Sequence, residues 1–96
     1  MPKLAKVKVV FPSVIANVTA GEREIEVSAS TLREVIDRLV AKYGDAIRDR
    51  IFDSSGNLRK LLNFYVNGKN VSFLKQLETQ LKDGDKILIL PTVSGG

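Results

Sequence analysis

Ninety-six residues, 44% of them hydrophobic and 27% charged, are enough for one hydrophobic core and not for two, and the apolar runs are far shorter than a membrane-spanning helix requires. The chain has no cysteine and no histidine, which excludes a thiol nucleophile, a disulfide, the usual zinc sites and any side chain titrating near neutral pH. Fifteen Lys and Arg against eleven Asp and Glu leave a net charge of +4, but the basic residues are interspersed with acidic ones, so a solvated mixed-charge surface is favoured over nucleic-acid binding. Intrinsic catalysis is not expected. The opening "MPKLAKVKVVF" lacks the apolar core and small-residue cleavage site of a signal peptide, and a cytoplasmic location is expected.

The first element is "AKVKVVF", a strand with Val7, Val9 and Phe11 on one face and Lys6 and Lys8 on the other. A turn through "TAGE" leads to "REIEVSA", where Ile25 and Val27 alternate with Glu24 and Glu26. Antiparallel pairing would set the lysines near the glutamates on the solvated face. The period then changes. In "STLREVIDRLVAKYG", Leu32, Val35, Ile36, Leu39, Val40 and Tyr43 form one helical stripe, Thr31 and Glu34 have the form of a capping box, and Gly44 suits a left-handed stop.

Between Asp45 and Arg59 the pattern weakens to a short helical turn anchored by Ile47, Ile51 and Phe52, followed by a loop at "SSGN". "LLNFYVNGKNV" is a third strand with Leu62, Phe64 and Val66 on one face, turning at Asn67 and Gly68 into a short fourth. "KDGDK" then reverses the chain into the final strand. Asp83 and Asp85 are hard oxygen donors, but two carboxylates in a turn fall well short of a calcium loop, and no metal site is expected.

The order strand, strand, helix, strand, short strand, strand implies an α+β domain, a mixed sheet of about five strands with one main helix on one face. The last strand, "ILIL", is apolar on both parities, which suits the middle of the sheet. If Ile87 and Ile89 face the helix, Leu88 and Leu90 face away from it, either covered by neighbouring side chains or forming a docking surface. Residues 1–91 are read as the domain. Beyond Pro91, which cannot donate to a ladder, Thr92 to Gly96 can extend roughly 17 Å at about 3.4 Å per residue. A terminal Gly-Gly arises by chance in about 0.5% of chains at the usual glycine frequency of ~7%. Glycines let a main chain pass through a channel too narrow for Cβ atoms and bring a carboxylate against a reacting phosphate.

"VNGKNVSF" and "LKDGDKILILPTVSGG", after the strand, strand, helix pattern, resemble the MoaD/ThiS family of ubiquitin-like sulfur carriers with the β-grasp fold, above all the small subunit of molybdopterin synthase and its archaeal relatives. The resemblance covers nearly the whole chain. Its most specific element is the DGD turn, apolar strand, proline and terminal VSGG together. The thiamin-pathway carrier shares fold and ending but is typically shorter through the region of Asp45 to Arg59. The family often has two prolines before the tail, where this chain has Pro91 followed by Thr92, and many members are acidic where this one is basic.

The resemblance implies a non-catalytic carrier subunit that binds no cofactor. An E1-like enzyme adenylates the Gly96 carboxylate with ATP, a sulfur donor converts it to a thiocarboxylate, and the tail enters the large subunit of molybdopterin synthase to pass sulfur to the pterin precursor. Gly95 and Gly96 match the functional ending, Ser94 and Val93 complete the bound tail, and Leu88, Leu90 and Pro91 fall where the family docks its partners. A second reading is a protein modifier joined through Gly96 to target lysines. A third is a basic interaction module whose Gly-Gly ending is incidental.

Overall fold

The computed structural model describes residues 4–59, 62–71 and 74–91. The first strand, β1 (Ala5–Val10), buries Ala5, Val7 and Val9 and exposes Lys6 and Lys8, as strict alternation requires. Phe11 continues the buried parity. Pro12, without an N–H, ends the ladder and precedes a 3-10 segment (Ser13–Val18) that buries Ile15 and that the hairpin reading lacks. The turn through Ala20 and Gly21 holds both residues at positive φ, 55° and 79°. The Thr19 hydroxyl, fully buried, donates to the Glu22 carbonyl at 2.9 Å.

The second strand, β2 (Glu24–Ala29), pairs antiparallel with β1, Val7 opposite Val27 and Lys8 opposite Glu26. The ion pair that forms is diagonal: Lys8 Nζ lies 3.3 Å from Glu24. Helix α1 (Leu32–Tyr43) buries Leu32, Val35, Ile36 and Leu39, each worth about 1.5–3 kcal/mol before entropy. Val40 and Tyr43, at the rim of the stripe, are only half-buried, and the Tyr43 ring packs edge-on to Phe11 at 5.8 Å.

The capping box is shifted by one residue. Thr31 Oγ1 accepts from the Glu34 N–H at 3.3 Å, but the Glu34 carboxylate reaches past Thr31 to accept from the Ser30 N–H at 2.6 Å and from its hydroxyl. These bonds hold the Glu34 pKa below its ordinary value, the Ser30 hydroxyl contributing most. Gly44 does not adopt the left-handed helical stop: at φ 87°, ψ −168° it turns the chain directly into α2 (Asp45–Ile51), which is a true helix burying Ile47 and Ile51, with Phe52 half-buried after it.

Strand β3 (Leu62–Val66) buries Leu62, Phe64 and Val66 as its alternation predicts, and Asn67 and Gly68, at φ 52° and 88°, turn it into the two-residue β4 (Lys69–Asn70). The last strand, β5 (Lys86–Pro91), completes a five-stranded sheet in the order β2-β1-β5-β3-β4, parallel to β1 and antiparallel to β3. The final strand therefore occupies the centre. Ile87 and Ile89 are fully buried on the helix side. This mixed sheet with one main helix across one face is the β-grasp arrangement.

Candidate functional site

The site is built from the "DGD" turn outward. Asp83 Oδ1 accepts the Lys6 N–H at 2.8 Å and the Gly84 N–H donates to the Lys6 carbonyl, so the turn is fastened to the start of β1. Asp85 uses both carboxylate oxygens, one for the Lys82 N–H and one for the Asn67 side-chain amide, each at 2.8 Å. Asn67 returns to β5 by accepting the Lys86 N–H at 3.0 Å. The two aspartates are thus engaged by backbone and amide donors. They set where β5 begins and lock it to the β3–β4 hairpin.

With its start fixed, β5 has only one parity available. Register pairs place Leu88 between Val10 of β1 and Tyr65 of β3, and Leu90 opposite Asn63, all on the face away from α1. Leu88 is half-buried by these neighbours, whereas Leu90 is 38% exposed and Pro91, opposite Leu62, is exposed at the edge of the described strand. Neighbours therefore cover one leucine of "ILIL" and leave the other on the surface. Lys8 and Lys86, adjacent across the β1–β5 pair, border the apolar row on the side away from Pro91. Val93, Ser94, Gly95 and Gly96 lie outside the described residues.

Val10 and Tyr65 complete the row and were not singled out from sequence. The signal for Val10 is its parity, because it follows Lys6 and Lys8 on the outward face and breaks their polar alternation. Tyr65 stands outward between the buried Phe64 and Val66 in the same way. Neither parity identifies a shared patch until the register sets β1, β5 and β3 side by side.

The family model described as ThiS family matches residues 9–96. The chain belongs to the ThiS family. Among relatives, the sulfur carrier protein CysO of Mycobacterium tuberculosis is 39% identical over 92 residues, which is 94% of this chain and 98% of CysO. Among solved structures, the small archaeal modifier protein 1 of Methanosarcina acetivorans superposes with a TM-score of 0.83 at 36% identity, covering 97% of this chain and 98% of that one. The Amycolatopsis orientalis BexX/CysO complex matches with a TM-score of 0.80 at 33% identity, over 94% of this chain and 99% of the matched one. This ThiS-family chain therefore shares the β-grasp fold of ubiquitin-like sulfur carriers along almost its whole length. Its similar proteins carry names from both of the functions that the ending suggested, sulfur carriage and protein modification. Among the described residues, no helix is long and apolar enough to cross a membrane.

Proposed function

We propose that this ThiS-family protein carries sulfur on the C-terminal carboxylate of Gly96 and supplies no catalytic side chain of its own. The observation that carries the reading is the placement of β5: a central strand anchored at the DGD turn, presenting Leu88 and Leu90 outward and delivering the chain at Pro91 to the five residues that end in Gly-Gly. A carboxylate is a poor acyl donor. Attack of its oxygen on the α-phosphate of ATP in an E1-like enzyme gives the acyl adenylate and releases pyrophosphate; hydrosulfide from the sulfur donor then displaces AMP and loses its proton to leave the thiocarboxylate. Val93, Ser94 and Gly95 would thread the partner's channel, while Leu88, Leu90 and Pro91, with Val10 and Tyr65, would form the docking row.

The sulfur acceptor is a finer matter. A likeness at 26% identity to a Pyrococcus furiosus structure named as a putative molybdopterin converting factor, subunit 1, supports a pterin outlet. Transfer to the pterin precursor through a large molybdopterin synthase subunit is one proposed outlet, and a thiamin-pathway outlet is another. The modifier reading, with Gly96 joined to lysines of target proteins, is supported by the likeness to a small archaeal modifier and uses the same adenylation step.

Intact mass spectrometry tests the common step. Incubation with the cognate activating enzyme, ATP and a sulfur donor is expected to exchange one terminal oxygen for sulfur, and deletion of Gly96 is expected to abolish the exchange without unfolding the domain. An unchanged mass, or full thiolation of the shortened chain, would refute the assignment. Gly-Gly remnants on lysines in a digest of cell extract would favour the modifier, and thiolated protein that restores dithiolene formation by a large synthase subunit would favour the pterin outlet.

A further inference from the structure

At the far end of β5 from Pro91, the β3–β4 turn and the segment leading to the DGD turn enclose an open groove of about 760 Å³, within the size range that holds a short ligand segment. Three exposed lysines line it, Lys69, Lys75 and Lys82, together with the exposed Leu74, the buried Val66 and one carboxylate, Asp85. Asp85 is occupied by the Lys82 N–H and the Asn67 amide. Glu78, nearby in sequence, is drawn away to Arg33 at 2.8 Å. Among the described residues the ion pairs join Lys8 to Glu24, Arg33 to Glu78 and Lys42 to Glu22, and none of them involves a groove lysine.

We infer that this groove is a docking site for an extended acidic segment of a partner protein, with its carboxylates on Lys69, Lys75 and Lys82 and an apolar side chain on Leu74. Charge complementarity selects the sign of the occupant, three lysines against one already engaged aspartate. The apolar contact selects a peptide over a nucleic acid. The described lining offers the exposed Leu74 for an aliphatic side chain, an apolar contact that a run of phosphates would leave unused.

Position gives the site its use. Lys69 pairs with Val66, so it stands on the same side of the sheet as the core, opposite the face that carries Leu88 and Leu90. Lys86 to Pro91 separates the groove from the exit of the tail by roughly 17 Å at about 3.3 Å per residue. An acidic segment held here leaves the leucine row uncovered. A partner can therefore grip the domain at one end while the other end is engaged elsewhere. This inference does not depend on the carboxylate chemistry of Gly96.

The test uses the full chain and a fluorescein-labelled peptide of alternating Glu and Asp around a central Leu, followed by anisotropy and by amide shift mapping of the unlabelled peptide. Shifts are expected to concentrate at Val66, Lys69, Leu74, Lys75 and Lys82. Each of Lys69→Glu, Lys75→Glu and Lys82→Glu should weaken binding severalfold, the pair Lys69→Glu and Lys75→Glu by about tenfold or more, and raised salt should weaken it further. These side chains are exposed, so unchanged urea midpoints confirm folding, and Lys→Gln variants give the intermediate loss expected of charge removal. Deletion of Gly96 should leave peptide affinity unchanged, which separates failure here from failure of the carrier reading. Affinity indifferent to the reversals, shifts confined to the leucine face, or a single-stranded oligonucleotide of equal charge binding the groove more tightly than the peptide would each overturn the inference.

Discussion

Ile89 and Leu90 are neighbours on the same central strand, and the fold assigns them opposite fates. Ile89 is fully buried between sheet and helix, so Ile89→Ala leaves a cavity that its surroundings cannot fill. Loss of transfer free energy together with the cavity costs about 2–5 kcal/mol. At an m-value of about 1–1.5 kcal/mol/M for a chain of this size, the urea midpoint falls by about 1.3–5 M with m unchanged. Leu90 is 38% exposed and opens to solvent, so truncation leaves no closed cavity and removes only contacts with its strand neighbours. Leu90→Ala should cost about 1 kcal/mol, half the loss at Ile89 or less. Urea unfolding followed by far-ultraviolet circular dichroism measures both. Equal losses, or a larger loss at Leu90, would mean that the strand parity is inverted, because a register slip of one residue exchanges the two faces.

The other predictions concern the outward leucine face, the DGD lock and the helix cap. On the proposed docking row, Leu90→Asp should weaken binding of an E1-like activating enzyme by at least tenfold while shifting the urea midpoint little; titration by calorimetry checks it, and the reverse ranking would give Leu90 a purely structural role. Asp85→Ala removes the acceptor for the Lys82 N–H and the Asn67 amide, a loss of about 1–2 kcal/mol for a partly exposed carboxylate, and should accelerate amide exchange at Lys82 and Lys86 ahead of the rest of the sheet. The Glu34 carboxyl is held below its ordinary pKa of 4.5, first by the Ser30 hydroxyl and then by its N–H. A depressed carboxylate stabilises the fold above that value and loses its contribution as the pH falls through the folded pKa. Glu34→Gln should therefore narrow its gap to the parent protein in acid melts below pH 4.5, and a gap constant through that range would remove the cap from the account.

Which elements were legible in the sequence depended on how local their physics is. Thr31, Glu34 and the stripe from Leu32 to Leu39 specify α1 through contacts within a few residues, and Asn67-Gly68 specifies its turn through backbone sterics alone. The segment after Gly44 was harder, because α2 is only seven residues long and is held by burial of Ile47 and Ile51. The 3-10 segment after Pro12 has no amphipathic period to reveal it. The shifted cap is a matter of side-chain reach, Glu34 finding Ser30 one residue beyond the expected partner.

The sequence by itself determined the class of fold, the parity of each strand and the lack of thiol and imidazole chemistry, since alternation, helical period and composition are carried by the residues in order. It also marked Leu88, Leu90 and Pro91 as candidates, because a strand apolar on both parities has to cover two faces. Only the tertiary structure decided that Val10, Leu88 and Tyr65 form one row, that Leu88 is half covered while Leu90 is open, and that Lys69, Lys75 and Lys82 line one groove. The reason is physical. These residues lie on separate elements, and their adjacency arises from hydrogen-bonded register between distant strands and from the Asp85–Asn67 lock, neither of which has a local sequence period.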